Sequence, residues 1–224
     1  LHRCPLLRYL VRRDGPDARG YDAVILVAHS QGSVLTADLL RLMMAERQAA
    51  GEGTPVEPSL AKLGGAGGIP VCLFTMGSPL RQLYAQRFPD LYAWARHREG
   101  RRAPEERVPQ GARDPDPEAL GVAVWANAYR SGDYVGRYLW CAEDEDPWDR
   151  PGMLPRVLAP NRMEMCIGPG GHLRYWDASA PEVAATLDAL IDAFVPGGAP
   201  DAPRDGARSA RPPFTDPTFV ESLE

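Results

Sequence analysis

Short apolar runs alternate with longer amphipathic stretches along this chain. The first run, at 23–28, reads Ala-Val-Ile-Leu-Val-Ala, and similar runs stand at 70–75 and 121–126. Continuous runs of this length and composition are typical of strands buried on both faces, as in a parallel sheet. A run at 162–167 predicts a fourth, weaker strand, and we expect residues 139–160 to form a loop.

Helical patterns fill the stretches between these runs. Residues 32–48 carry apolar side chains around much of a helix, which predicts extensive burial, and a second pattern covers 80–97 with Pro89 interrupting it. Ser179 and Glu182 match a capping box at the start of the last helix. The apolar stripe of that helix comprises Val183, Leu187, Leu190, Ile191 and Phe194. Strands alternating with helices predict an α/β fold, a mostly parallel sheet flanked by helices.

Composition places the chain among globular proteins. It has 224 residues, of which 44% are hydrophobic and 25% charged, and we assign residues 1–195 to one domain. Within that domain, the charged and Pro-rich stretch at 98–119 predicts a surface insertion. Residues 196–224 have the composition of a disordered tail. No apolar run reaches about 18 residues, so we expect no transmembrane helix within this sequence.

Charge and cysteine usage exclude some classes of partner. The net charge of −5 argues against binding of nucleic acid, which favours a basic face. The four cysteines form no C-x-x-C pair, so we expect no zinc site. Cys72 and Cys166 stand in apolar strand-like runs and are predicted to be buried thiols. These features favour a reducing compartment and a cytoplasmic location.

Candidate chemistry begins where the first strand ends, since parallel sheets carry active sites at the carboxyl ends of their strands. Ala28-His29-Ser30-Gln31-Gly32 nearly matches the G-x-S-x-G nucleophile elbow, in the strand-to-helix position that the motif requires. We expect Ala28 and Gly32 to approach each other, so both must be small. The N–H of Gln31 would then point toward a developing oxyanion. The alternative is an ordinary strand–helix turn with a serine near the N-cap.

A serine nucleophile needs a base, and the base needs an acid to orient it. Asp133 follows the third strand and stands where the acid belongs. The alternative is an ordinary turn aspartate without a catalytic role, since turns favour aspartate. His172 lies in a Gly-rich loop before the last helix, where the base belongs. Of the other histidines, His2 has no strand to place it and His97 lies beside the charged insertion. We expect the His29 side chain to point away from the serine.

Three further candidates have simpler interpretations. Ser78 follows the second strand in Gly-Ser-Pro and is better suited to shape a pocket wall than to attack. Asp177 could substitute for the acid, but its position favours a turn before the last helix. The acidic run at 143–146 lacks the ligand spacing and glycine of a calcium loop, which indicates a solvated loop.

Together these motifs resemble α/β-hydrolases of the lipase/esterase kind, over about residues 20–195. The turn Asp133-Tyr134-Val135 resembles the D-x-V-P turn of class 3 lipases, and His172-Leu173-Arg174-Tyr175-Trp176 resembles the loop that carries their histidine. The likeness is closest to uncharacterised bacterial lipase-like hydrolase domains. Ala28 replaces the usual glycine, and Gly136 stands where these lipases have proline.

The resemblance implies a carboxylic ester hydrolase with Ser30 as nucleophile, Asp133 as acid and His172 as base. Gln31 would supply an oxyanion donor, the substrate would be a small-molecule or lipid ester, and no cofactor or metal is implied. Two alternatives stay open, a non-catalytic interaction domain with this fold and an acyltransferase that uses the same triad.

The resemblance also bears on the extent of the chain. In the enzymes that it resembles, several strands precede the elbow, and one of their loops supplies a second oxyanion donor. Only 29 residues precede Ser30, so we expect the chain to be the carboxyl part of a longer hydrolase, lacking its N-terminal strands. Any membrane association would then come from sequence upstream of Leu1.

Overall fold

A five-stranded sheet lies at the centre of the structure. This computed structural model describes residues 21–51, 62–64, 68–96, 114–140 and 156–194. The strands are β1 (Val24–His29), β2 (Val71–Met76), β3 (Val124–Tyr129), β4 (Arg156–Ala159) and β5 (Arg162–Cys166). Their order is β1-β2-β3-β5-β4, in which β4 alone pairs antiparallel. The predicted α/β arrangement with a mostly parallel sheet is confirmed.

Helices flank this sheet. The long helices are α1 (Gln31–Gly51) and α4 (Pro181–Phe194). Between them lie a π-helix (Leu80–Tyr84), α2 (Ala85–Arg87), α3 (Pro89–Tyr92) and 3₁₀ turns at Ala93–Ala95 and Glu118–Leu120. The helix predicted over 80–97 is therefore a series of short pieces. Phe88 leaves the helical region at φ −129° and ψ 60°, and Pro89 begins the next turn.

Alternate residues of the central strands belong to two hydrophobic clusters, one on each face of the sheet. Leu73 and Trp125 pack with residues of α1 such as Leu40. Phe74 and the other residues of opposite parity pack with α4. Successive side chains of a strand point to opposite faces, and a hydrophobic cluster covers each face of the sheet. Every residue of β2 and β3 is therefore buried. Burial of each large apolar side chain contributes about 1.5–3 kcal/mol to folding stability. The two clusters together thus stabilise the strands on which the candidate site stands.

Burial of β1 on both faces was predicted, and this prediction is wrong. β1 is an edge strand within the described sheet, and its Val27 is 40% exposed. Helix α1 is likewise buried along one face, whereas the prediction extended burial around much of its surface. The buried apolar residues of α1 include Val34, Leu40 and Met43, and the exposed ones are Leu35, Leu39 and Leu42. No described element covers that outer face, which is why the crowded pattern overstated its burial.

Strand β3 lies three residues later than the run at 121–126 predicted. Gly121 adopts a left-handed conformation, with φ 65°, and ends the turn that precedes the strand. The strand continues through Asn127, and because Asn127 is polar, the apolar pattern ended before the strand does. Asn127 is fully buried but satisfied, accepting a hydrogen bond from Thr75 Oγ1 at 2.8 Å and donating one to Glu164 Oε1 at 2.8 Å.

The sheet also contains a strand where a loop was expected. Residues 139–160 were predicted to be loop, but Arg156–Ala159 forms β4, with an irregularity between Val157 and Ala159. Pro160 and Asn161 turn the chain directly into β5. Strand β5 confirms the run at 162–167 to within one residue. Residues 141–155 lie outside the described part of the chain.

The start of α4 differs from the predicted capping box. The helix begins at Pro181, and Ser179 bonds elsewhere, donating its hydroxyl proton to the Asp177 carboxylate and accepting from Arg130 Nη2 at 2.9 Å. Glu182 Oε2 is buried without a hydrogen-bond partner among the described atoms. In the predicted apolar stripe, Val183 and Leu190 are buried but Ile191 is 39% exposed.

Several predictions fall on residues that the structure does not describe. These are the tail at 196–224, the acidic run at 143–146, His2, His97 and the insertion at 98–119 as far as residue 113. The assignment of 1–195 to one domain stays a prediction. No helix in the described ranges is long and apolar enough to cross a membrane.

Candidate active site

Ser30 stands in a strained turn between β1 and α1. Its φ is 56°, the one positive value at a non-glycine position in the described part of the chain. Such backbone strain costs about 1–3 kcal/mol and persists where the surroundings impose it. Here the Ser30 N–H donates to Met76 O at 3.0 Å, which ties the turn to the end of β2. A positive-φ serine between a strand and a helix is the backbone geometry that a nucleophile elbow requires, and the role of Ser30 as nucleophile stays a prediction.

The predicted reason for the small residue at position 32 is wrong. A Cβ added at Gly32 would meet no heavy atom within 4 Å outside the backbone of its own helix. A side chain at position 32 would therefore have room, so the turn does not require a small residue there. The elbow conformation resides in the Ser30 backbone.

The three residues predicted to act together converge at the carboxyl edge of the sheet. His172 Nε2 lies 2.6 Å from Ser30 Oγ, and His172 Nδ1 lies 2.8 Å from Asp133 Oδ2. The Asp133 side chain is fully buried, whereas that of His172 is 15% exposed. Side chains from three separate segments thus form one continuous hydrogen-bonded chain.

Asp133 is held by two main-chain donors in addition to the histidine. Its Oδ1 accepts the N–H groups of Val135 at 2.8 Å and Gly136 at 3.1 Å. Its Oδ2 also accepts the Tyr175 hydroxyl at 2.8 Å. Burial alone would raise the pKa of Asp133, but the hydrogen bonds from His172, Gly136, Tyr175 and Val135 outweigh burial and lower that pKa.

With Asp133 ionised, the hydrogen-bond partners of His172 assign the proton positions in the site. An ionised carboxylate only accepts hydrogen bonds, so His172 Nδ1 must carry a proton. In the neutral imidazole, Nε2 is then the acceptor and faces the Ser30 hydroxyl. This is the tautomer that a general base toward Ser30 requires.

Two glycines allow the turn at residues 130–136, here named the acid turn, to approach the end of β2. A Cβ at Gly77, whose φ is 53°, would lie 2.9 Å from both Asp133 Oδ2 and Tyr175 Cε2. A Cβ at Gly136 would lie 2.0 Å from the carbonyl carbon and oxygen of Gly77. Gly136 is one of the departures from the lipase pattern, and the structure gives its reason: the Gly77 backbone occupies the space of a side chain.

Gln31 is the first residue of α1, and its N–H belongs to the helical turn that lacks intrahelical acceptors. The N-terminus of a long helix favours an anion, so this N–H is suited to a developing negative charge beside Ser30. The Gln31 side chain is exposed, and its Nε2 donates to the Tyr84 hydroxyl at 3.3 Å.

Three side chains at the site were given no role by the sequence patterns. His29 Nε2 lies 2.8 Å from His172 O, and because a carbonyl only accepts, that nitrogen carries a proton. Tyr175 is fully buried, and its pKa is raised by burial and then by its hydrogen bond to Asp133. Arg130 is 1% exposed at the start of the acid turn. No spacing rule could identify them, since their partners lie about 40 to 140 residues away in sequence.

The two other candidates have structural partners rather than catalytic ones. Ser78 is buried and accepts a hydrogen bond from Ser33 Oγ at 2.9 Å. Asp177 accepts the Ser179 N–H at 2.9 Å and lies 3.6 Å from Arg174 Nη1. Cys72 and Cys166 are buried and free, as predicted.

Two further features bear on the binding of ligands. Within the described ranges, no group of three His, Cys, Asp or Glu side chains is placed to hold a metal. A pocket of about 240 Å³ is present, but Ser30, Asp133 and His172 do not line it. Its lining residues are Arg81, Gln82, Gln86, Arg137 and Tyr138.

No protein-family model matches the chain, and comparisons with curated proteins and with solved structures found no match either. The family therefore stays a prediction from the motifs.

Proposed function

We propose that this chain has an α/β-hydrolase fold and hydrolyses carboxylic esters through Ser30, His172 and Asp133. The observation that carries the proposal is the hydrogen-bonded chain from Ser30 Oγ through His172 to Asp133, with distances of 2.6 and 2.8 Å. The proposal is supported because these hydrogen bonds occur together with a positive-φ serine that stands between a parallel strand and a long helix. The order Ser, Asp, His along the sequence supports the same fold.

In the proposed mechanism, Ser30 Oγ attacks the acyl carbon of the ester while His172 Nε2 takes the hydroxyl proton. The Gln31 N–H stabilises the oxyanion of the tetrahedral intermediate. His172 then returns the proton to the departing alkoxide oxygen as the carbon–oxygen bond breaks, which leaves an acyl group on Ser30. Water, deprotonated by His172, attacks this acyl carbon. His172 then returns that proton to Ser30 Oγ as the bond between Oγ and the acyl carbon breaks, which releases the carboxylic acid and regenerates the serine. Asp133 stays ionised throughout and stabilises the imidazolium.

Side chains next to the triad in sequence favour an ester with an apolar part. Tyr134 is 79% exposed and follows Asp133, while Leu173 and Trp176 are 83% and 60% exposed and follow His172. Because these exposed side chains follow triad residues closely in sequence, they are available to contact an apolar part of a substrate. They support a small-molecule or lipid ester as the substrate class.

Hydrolysis of p-nitrophenyl esters of increasing acyl length tests the proposal. We expect measurable turnover by the chain and a loss of at least about 10³-fold in kcat for Ser30→Ala, because the nucleophile acts as a unit with its base. Ser78→Ala is a matched control, since it removes a buried serine hydroxyl that has no histidine partner in the structure.

The control variant should retain wild-type kcat. Turnover that survives in Ser30→Ala would contradict the assignment of the nucleophile. A folded wild-type chain that shows no turnover and whose Ser30 does not react with a fluorophosphonate would favour the non-catalytic interaction domain, and ester formation with an added alcohol would favour acyl transfer.

A further inference from the structure

Arg130 joins the two segments that carry the acid and the base. It follows β3 directly, and the Asp133 N–H donates to its carbonyl oxygen at 3.1 Å, so its backbone forms part of the acid turn. Its side chain is 1% exposed, which is rare for arginine unless the charge is compensated. Among the described residues, Asp177 brings a carboxylate oxygen to 3.9 Å from Arg130 Nη2, and the Asp177 side chain is 40% exposed. Carbonyl oxygens therefore provide most of the compensation.

Those carbonyls all belong to the segment at 167–179, here named the base loop. Arg130 Nε donates to Arg174 O at 2.9 Å, and Nη1 donates to Pro169 O at 2.8 Å and to Ile167 O at 3.3 Å. Nη2 donates to Arg174 O at 2.5 Å and to Ser179 O at 3.1 Å. These acceptors lie on both sides of position 172. One guanidinium thus fixes the main chain before and after the proposed base.

The packing around Arg130 is built for this contact. A Cβ at Gly170 would lie 2.6 Å from Arg130 Cδ and 2.7 Å from Nη1, so the base loop can approach only without a side chain there. The Arg130 N–H also donates to the Tyr175 hydroxyl at 3.1 Å. That hydroxyl must then direct its own proton to Asp133 Oδ2. The same residue orients groups on the acid side and on the base side.

We propose that Arg130 is a positioning residue, whose guanidinium holds the base loop so that His172 meets both Ser30 and Asp133. The inference rests on the proposed function. Arginine is required because its planar fork offers five donors in fixed directions. Lysine offers three donors from a single nitrogen and cannot reach carbonyls on both sides of the loop at once.

Steady-state kinetics of Arg130→Lys and Arg130→Met test this role. Because misplacement of a reacting group by about 1 Å can cost about 100-fold, we expect kcat to fall about 10- to 100-fold, with KM changing by less than about twofold. Arg162→Lys is the matched control, a 27% exposed arginine at the opposite end of β5 that pairs with Asp116 at 3.2 Å. Its kcat should stay at the wild-type value.

A second readout does not depend on turnover. The Nδ1 proton of His172, bonded to Asp133, should give a downfield proton NMR signal, which its absence from His172→Ala would assign. We expect this signal in the wild type and in Arg162→Lys, and its loss in both Arg130 variants. Retention of the signal and of kcat in a folded Arg130→Met would overturn the proposal. So would failure of both Arg130 variants to fold, because Arg130 would then support the whole fold rather than one loop.

The two proposals can fail separately. If the wild type shows no Ser30-dependent turnover, the proposed function fails, and the His172 signal still decides whether Arg130 positions the base loop. If turnover depends on Ser30 but both Arg130 variants match the wild type in kcat and in the signal, only the role of Arg130 is overturned.

Discussion

A methyl group at position 136 should separate the acid turn from the end of β2. In Gly136→Ala the new Cβ would lie 2.0 Å from the Gly77 carbonyl carbon and oxygen, whereas carbon atoms make favourable contacts at about 3.5–4.0 Å. Both atoms are backbone, so no side-chain rotation relieves the overlap, and the segments must move apart by about 1 Å or more. Overpacking of this kind costs about 1–3 kcal/mol of folding stability.

The displacement should affect catalysis more than stability. The Gly136 N–H donates to Asp133 Oδ1 at 3.1 Å, so movement of residue 136 shifts the carboxylate that orients His172. A shift of about 1 Å predicts a loss of about 100-fold in kcat/KM for a p-nitrophenyl ester. Urea unfolding of the same sample establishes that the variant is folded.

Gly171→Ala is the matched control, because a Cβ there would meet no heavy atom within 4 Å apart from those of residues 170 and 172, which adjoin it in the chain. We expect it to keep kcat/KM within about twofold of the wild type, since no contact changes. A folded Gly136→Ala with wild-type kcat/KM would refute the reasoning. An equal loss in both variants would show that any change near the site is harmful, independent of the close approach at Gly77.

Outcomes are also expected at three further residues. Asp133→Asn should lower kcat by about 10⁴-fold by favouring the wrong His172 tautomer. Because folding lowers the pKa of Asp133, its stabilising contribution is complete above about pH 4 and is lost at lower pH, so urea unfolding should show the stability difference between wild type and Asp133→Asn shrinking as the pH falls. His29→Phe removes the donor to His172 O and should lower kcat/KM by about 2- to 10-fold in the ester assay. Burial raises the pKa of Cys72 to about 12, so peptide mapping should find it alkylated by iodoacetamide only after unfolding.

The sequence predicted those parts of the fold in which one physical signal dominates. The apolar run of β2 is uninterrupted and the strand is buried on both faces, so its ends could be predicted to within one residue. In β3 the polar Asn127 is satisfied by Thr75 and Glu164, which belong to distant segments, and the pattern therefore ended the strand too early. The burial of α1 was overstated because an apolar residue indicates burial only where another element covers it.

The candidate site likewise has parts that the sequence could predict and parts that it could not. The convergence of Ser30, Asp133 and His172 could be predicted because parallel strands bring their carboxyl ends to one edge, whereas the chemical role of each stays a proposal. Arg130 could not be predicted, since its acceptors are carbonyl oxygens of the base loop, and any residue type supplies a carbonyl. The constraint at Gly136 was equally hidden, because it arises from a backbone approach that sequence spacing does not encode.

Covalent labelling of Ser30 tests the proposed nucleophile most directly. The chain is incubated with a fluorophosphonate, and the adduct is counted by intact mass and located by peptide mapping. We expect one adduct per chain, on Ser30, with no labelling of Ser30→Ala and much slower labelling of His172→Ala, because the neutral hydroxyl needs its base. Equal labelling of the wild type and Ser30→Ala, or an adduct on another residue, would contradict the proposed site.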